Sequence, residues 1–181
     1  MIKNDNWLLE RASQIIDPFE PSLVAQGKIS YGVSSFGYDF RLADEFRSFE
    51  PPIETPCVDP KQLREAFFHT ERSMDWMVPP HGFILARSLE YFRIPRNVLG
   101  FCTGKSTYSR CGVFVTITPL EPEWEGHVTF PICNLTPFPV RIYAGEGIAQ
   151  VVFLEGAPPR TSYADRKGKY QRQTAVTLSK V

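Results

Sequence analysis

Two spacings of apolar residues divide the chain. From Trp7-Leu8-Leu9 to Ile15-Ile16 they recur at helical spacing, with Asn4 or Asp5 where a cap belongs, so a helix is predicted over about residues 5–16. Asp17-Pro18 ends it, because the residue before a proline is driven out of the helical region. From Gly82 onward the pattern changes to short runs of β-branched and aromatic residues: Phe83–Leu89, Tyr91–Ile94, Val98–Cys102, Val113–Thr118, Val128–Cys133, Val140–Tyr143 and Ile148–Leu154. Turn-forming residues separate these runs at Pro95-Arg96-Asn97, Gly104, Pro119–Gly126, Thr136-Pro137 and Gly145-Glu146-Gly147. Many short strands at close spacing, with few short helices, predict a mainly β fold, a sandwich or distorted barrel.

The stretch between is less regular. Pro18–Ser30 reads as loop. Ser34–Leu42 alternates hydroxyl, glycine and aromatic residues and reads as a glycine-kinked edge strand. Phe46–Pro60 is proline-rich and reads as loop. Pro60–Arg72 fits either a short helix or an irregular excursion. No internal repeat breaks the chain, so a single domain over residues 1–181 is the simplest organisation.

Composition narrows the function classes. A chain of 181 residues, 43% hydrophobic and 22% charged, is ordinary for a globular domain with a real core. Twenty basic residues cancel twenty acidic ones, so no global field draws in nucleic acid or membrane, and any anion site must be local. No apolar run approaches the ~18 residues of a membrane span, and no signal-peptide pattern opens the chain, so a cytoplasmic location is expected. Cys57, Cys102, Cys111 and Cys133 lack C-x-x-C spacing and read as packing thiols, three of them in apolar surroundings. The H-x-E and P-C-x-x-C pair of the zinc nucleobase deaminases is absent, so no zinc is expected. His69 and His81 have no spaced partner and read as loop and turn residues.

Chemistry concentrates in Gly104–Asn134, GKSTYSRCGVFVTITPLEPEWEGHVTFPICN. Lys105 and Arg110 flank Ser106, Thr107, Tyr108 and Ser109, a grouping that suits phosphate because charge-assisted bonds are the strong ones. Ser106 and Arg110 are four apart and would share one face of a helical turn; alone, an N-cap serine and a surface arginine explain them equally well. The acidic turn Glu121, Glu123, Glu125 reads by itself as solvated, and Gln150 in a β-run reads by itself as structural. The tail, about residues 163–181, carries Arg166, Lys167, Lys169, Arg172 and Lys180 among Tyr163, Tyr170 and Gln173. Taken alone, such a terminus is solvated.

That stretch, with SSFGYDFRL (Ser34–Leu42), PRNVLGFCTGKST (Pro95–Thr107), AGEGIAQVVF (Ala144–Phe153) and SYADRKGKYQ (Ser162–Gln171), resembles the dCTP deaminase family, relatives of the trimeric dUTPases. The resemblance implies a distorted double-sheet β-barrel of the dUTPase type and a homotrimer with sites between subunits. It implies dCTP as ligand (dTTP or dUTP as further candidates), carrying Mg²⁺, and hydrolysis of dCTP to dUTP and ammonia on the way to thymidylate. It assigns nucleotide contact to Lys105, Ser106, Thr107, Tyr108, Ser109 and Arg110, and a catalytic part to Ser106 and Arg110. It adds Glu121 as a sugar contact, Thr129, Phe130 and Pro131 around the base, Gln150, and Tyr163, Lys169, Tyr170 and Gln173 from a tail that closes as a lid. The family more often has Ala at the place of Ser109, a small change; one departure matters. Where the family has a glutamate, in a segment like VTLEFSN, this chain reads VTFPICN and places Pro131. Proline can neither take nor give the protons that deamination moves. The resemblance therefore leaves two alternatives beside the deaminase: a dCTP- or dTTP-binding regulatory protein, and a dUTPase-like pyrophosphohydrolase using Glu121.

Overall fold

In the computed structural model, which describes residues 1–180, the helical pattern forms α1, Asp5–Ile15. The Asn4 side chain accepts a hydrogen bond from the Trp7 amide at 3.3 Å, supplying a partner that the first turn lacks. Leu8, Ala12 and Ile15 share one face and are buried, and Trp7 packs on Phe153.

The strands follow in order: β1 (Ile16–Asp17), β2 (Gly32–Ser34), β3 (Gly37–Phe49), β4 (Phe68–Arg72), β5 (Asp75–Val78), β6 (Phe83–Arg93), β7 (Val98–Gly104), β8 (Val113–Val115), β9 (Glu125–Asn134), β10 (Val140–Tyr143) and β11 (Gly147–Glu155). A single helical turn, α2 (Ser106–Ser109), links β7 to β8. The main sheet runs β7-β11-β3-β6-β9-β8, with β1 beside β6 and β2 and β4 beside β3; β5 and β10 form a separate ribbon. The ends of the sheet meet at α2. A Cβ added to Gly104 would sit 3.2 Å from the Val115 Cβ, and Gly100 bridges Leu120. The result is the nearly closed β-barrel that the strand pattern predicts, with its edges drawn together at a seam.

The barrel is filled by one face of each long strand. Along β9, Val128, Phe130 and Ile132 point inward, while Thr129, Pro131 and Cys133 lie on the half-exposed outer face. Phe130 packs on Phe40 at 6.0 Å between centroids, and Phe40 meets Phe92 edge-on at 5.6 Å.

Three readings of the irregular half and one of the β half are refined. Ser34–Leu42 is not an edge: β3 pairs with β11 and β6, and Gly37 is needed because a Cβ there would meet the Val151 carbonyl oxygen at 2.5 Å. β3 also runs through Phe49, so Phe46–Phe49 is strand rather than loop. Pro60–Arg72 holds a 3-10 turn, Glu65–Phe67, and then β4. The runs Phe83–Leu89 and Tyr91–Ile94 are one strand, β6, as far as Arg93, broken in register between Arg87 and Tyr91. At that break the buried Glu90 carboxylate accepts from the Arg41 amide at 2.8 Å and from Arg41 Nε at 2.7 Å; burial pushes its pKa up against the pull of Arg41. Three packing thiols were expected, yet Cys57 and Cys111 are exposed and Cys133 is half-buried. Cys102 is buried, which pushes its thiol up to about 12.

Candidate functional site

The residues singled out by sequence fall into two places. The first is the barrel seam. Lys105 precedes α2, its amide donating to the Ile148 carbonyl at 3.1 Å. Arg110 caps the turn, and its Nη1 donates to Ser106 Oγ at 2.9 Å, so the two do share a face. Lys105 is committed elsewhere: its ammonium pairs with Asp39 at 2.5 Å, both side chains largely out of solvent. The cation that faces outward is therefore Arg110, which makes no ion pair among the described residues. Ser109 Oγ donates to the Lys105 carbonyl at 3.2 Å, and Thr107 is exposed. Tyr108 turns into the core: its hydroxyl accepts from the Tyr143 amide at 3.1 Å, and burial raises its pKa to about 12. Gln150, in register with Asp39 on β3 and Thr103 on β7, donates from Nε2 to Ser34 Oγ at 3.0 Å.

The second place is a cavity of about 1080 Å³ over the outer face of β9 and β6. Phe83, Leu85, Val128 and Pro131 give it an apolar wall; Glu121, Thr129, Tyr163, Lys169, Tyr170 and Gln173 add polar groups. Phe130 also borders it, though its ring is fully buried in the core. Neither Lys105–Arg110 nor Gln150 lines it. Within one chain the expected contacts thus fall in two separate places.

The tail builds much of the cavity. Trp124 Nε1 donates to the Tyr170 carbonyl at 2.9 Å, and the His127 amide donates to the Gln173 carbonyl at 2.9 Å, so residues 170–173 run beside the start of β9. Tyr163 is wrapped closely: its hydroxyl accepts from the Tyr170 amide at 2.9 Å, and a Cβ on Gly168 would fall 2.1 Å from its ring. The acidic turn and the basic tail neutralise each other. Arg166 pairs with Glu121, Arg172 with Glu125 at 2.6 Å, and Arg96 joins Glu123 to Asp165.

Pro131 is paired across to Leu85 of β6. On the other side of β9, β8 covers Ile132–Asn134 and the tail meets Gly126 and His127, so Pro131 lies outside both contacts. A proline is tolerated there because no ladder with β8 or the tail requires its missing amide. The cavity contains one carboxylate among its lining residues, Glu121, held by Arg166. Three pairings escaped sequence reasoning: Asp39 beneath Lys105, Trp124 beneath Tyr170, and Arg166 on Glu121. All three residues stood in segments already singled out, but each acts through a partner distant in sequence.

The barrel fold is shared with a solved deaminase. The crystal structure of 2′-deoxycytidine 5′-triphosphate deaminase from Agrobacterium tumefaciens superposes with a TM-score of 0.64 at 16% identity, covering 86% of this chain and 48% of that one. This chain therefore spans about half the length of that protein. The family is fixed by sequence: residues 2–156 match the dCTP deaminase-like family model, and the chain belongs to that family. Proteins named dCTP deaminase from Acidobacterium capsulatum and Dichelobacter nodosus are 50% and 55% identical to it, over 99% and 98% of this chain and 99% and 97% of theirs. Those alignments include the tail, which lies beyond the family match.

Proposed function

We propose that this chain binds dCTP with its Mg²⁺ in sites between the copies of a homotrimer, and that the proton transfers of dCTP deamination are impaired in it by Pro131. The observation that carries this reading is the split site. The seam turn with Arg110 and the cavity of β9 and the tail each hold half of the residues a nucleotide would need, and one chain does not bring them together. A second copy would place the seam of one chain over the cavity of the next.

In such a site Arg110, held by Ser106, offers bidentate charge-assisted bonds to phosphate, or holds the attacking water with the Ser106 hydroxyl. The tail supplies Lys169, Tyr170 and Gln173, and the wall of Leu85, Val128 and Pro131 receives the base. In deamination water adds to C4 of the cytosine ring and ammonia leaves, giving dUTP. One group must take a proton from water and deliver protons to the ring nitrogen and the amine, help worth roughly 10²–10⁴-fold. Pro131 occupies the place where the family carries that carboxylate. Glu121, the acid within the cavity lining, is already engaged by Arg166. This supports a chain that holds nucleotide and turns it over slowly, if at all, as a dCTP or dTTP sensor would.

Equilibrium binding of dCTP with Mg²⁺, run beside ammonia and pyrophosphate release, tests the reading. Binding with little ammonia supports it. Rapid ammonia release would mean that another group moves the protons, pyrophosphate release would point to a Glu121-dependent pyrophosphohydrolase, and absence of binding would remove the nucleotide site itself.

A further inference from the structure

The tail does not end its contacts at the cavity. Beyond Gln173 it crosses to the outer face of β3, where Val176 is buried to 5% exposure. There the Glu45 carboxylate accepts from the Val176 amide at 3.0 Å, and Arg47 Nη1 lies 3.5 Å from the Val176 carbonyl oxygen. Side chains of neighbouring outward positions on β3 thus grip both the donor and the acceptor of one tail residue, as a strand would with its backbone. Thr129 Oγ1 accepts from the Thr177 amide at 3.2 Å, tying the next residue to β9 two positions from Pro131.

The grip is charged and buried. Glu45 is 6% and Arg47 7% exposed. Glu45 also accepts from Arg87 Nε at 2.8 Å, and Arg47 pairs with Glu65. Arg47 Nε is buried without a partner among the described residues. An incompletely paired buried guanidinium is unfavourable for stability, so stability alone gives no account of the cluster. A latch does, because removing the tail would strip Glu45 of an amide donor and Arg47 of its carbonyl contact.

We infer that Glu45, set by Arg87 and assisted by Arg47, is a positioning residue that latches the tail at Val176 and so holds Tyr170 and Gln173 over the cavity. Its role in nucleotide affinity rests on the binding reading above; the latch itself does not. Two variants approach the contact from opposite sides: Glu45→Ala removes the acceptor, and Val176→Pro removes the tail amide while replacing the buried valine side chain. Trypsin cleavage after Arg172 in the absence of nucleotide reads the latch, and dCTP·Mg²⁺ titration reads its consequence, with thermal melting as a check on folding.

Loss of one hydrogen bond to a charged group predicts faster cleavage and weaker dCTP binding, each by about 10-fold or more. The combined variant is expected to be no worse than the stronger single one. Unchanged cleavage in either folded variant overturns the latch, as does full additivity of the two. Should Glu45→Ala fail to fold, Val176→Pro decides alone by the same criterion. Should the parent chain not bind dCTP, the binding reading falls, and the cleavage arm still decides the latch.

Discussion

At the seam, Ser106, Ser109 and Arg110 are held by bonds within four residues of one another, and Lys105 is anchored to β3 beneath them. In the cavity, by contrast, Tyr170 and Gln173 are tied, beyond the local Tyr163–Tyr170 bond, to strands and turns more than forty residues away. The seam place is thus shaped largely by its own turn. The cavity is built from strands and turns together with Tyr163, Lys169, Tyr170 and Gln173 of the tail. Charge follows the same division: Arg110 is left without an ion pair among the described residues, whereas Arg166 and Arg172 are matched by Glu121 and Glu125. On the proposed reading, a site split this way would lose nucleotide through either half, by different physics: loss of a charged contact at the seam, loss of order at the cavity.

The sharpest way to break the symmetry between the halves is through the core. Phe130→Ala empties a fully buried ring site behind the cavity wall and should cost about 3–5 kcal/mol in urea unfolding. Arg110→Ala, an exposed change, should stay within about 0.5 kcal/mol of the parent. Next in size is an effect on binding. Arg110→Ala and Tyr170→Ala should each weaken dCTP binding about 10-fold or more. Subunits of the two variants, unfolded and refolded together, should regain tight sites where a seam from one meets a cavity from the other. If the mixture binds no better than its parts, both halves serve the same chain.

Acid offers a gentler separation. Burial tends to raise the Glu45 pKa, but the hydrogen bonds from Arg87 and the Val176 amide, with the charges of Arg87 and Arg72, hold it below its usual 4.5. Its contribution is therefore fully present above pH 4.5 and is lost as pH falls through the lower folded value. Fluorescence of Trp124, bonded to the Tyr170 carbonyl, should report the tail loosening in that acid range. Glu45→Gln should remove that transition. Smallest is a labelling contrast: exposed Cys57 and Cys111 should react with a thiol reagent first, and buried Cys102 last. Cys111 adjoins Arg110, so bound dCTP should slow Cys111 and leave Cys57 unchanged.

The barrel was legible because short runs of β-branched and aromatic residues and the glycine and proline turns between them are local signals. β3 was misread as an edge because Gly37 marks a close approach to β11 that only the folded sheet reveals. β6 looked like two runs because a buried glutamate interrupts its apolar pattern, and its partner, Arg41, lies on another strand. At the seam, four-residue spacing correctly put Ser106 beside Arg110. It could not show that Tyr108 faces inward or that Lys105 is held by Asp39, since one helical turn is too short to define a buried face. The tail's basic residues were visible, but the groups that hold its Val176 backbone were not, because Glu45 and Arg47 precede it by well over a hundred positions.

The most direct test of the account is ammonia and dUTP formation from dCTP with Mg²⁺, measured for the parent chain beside Pro131→Glu. The account predicts that the parent binds dCTP and that the glutamate variant deaminates it at least about 10²-fold faster. Equal rates from the two, with the parent turning over, would contradict it, because the protons would then move through a group other than the side chain at position 131.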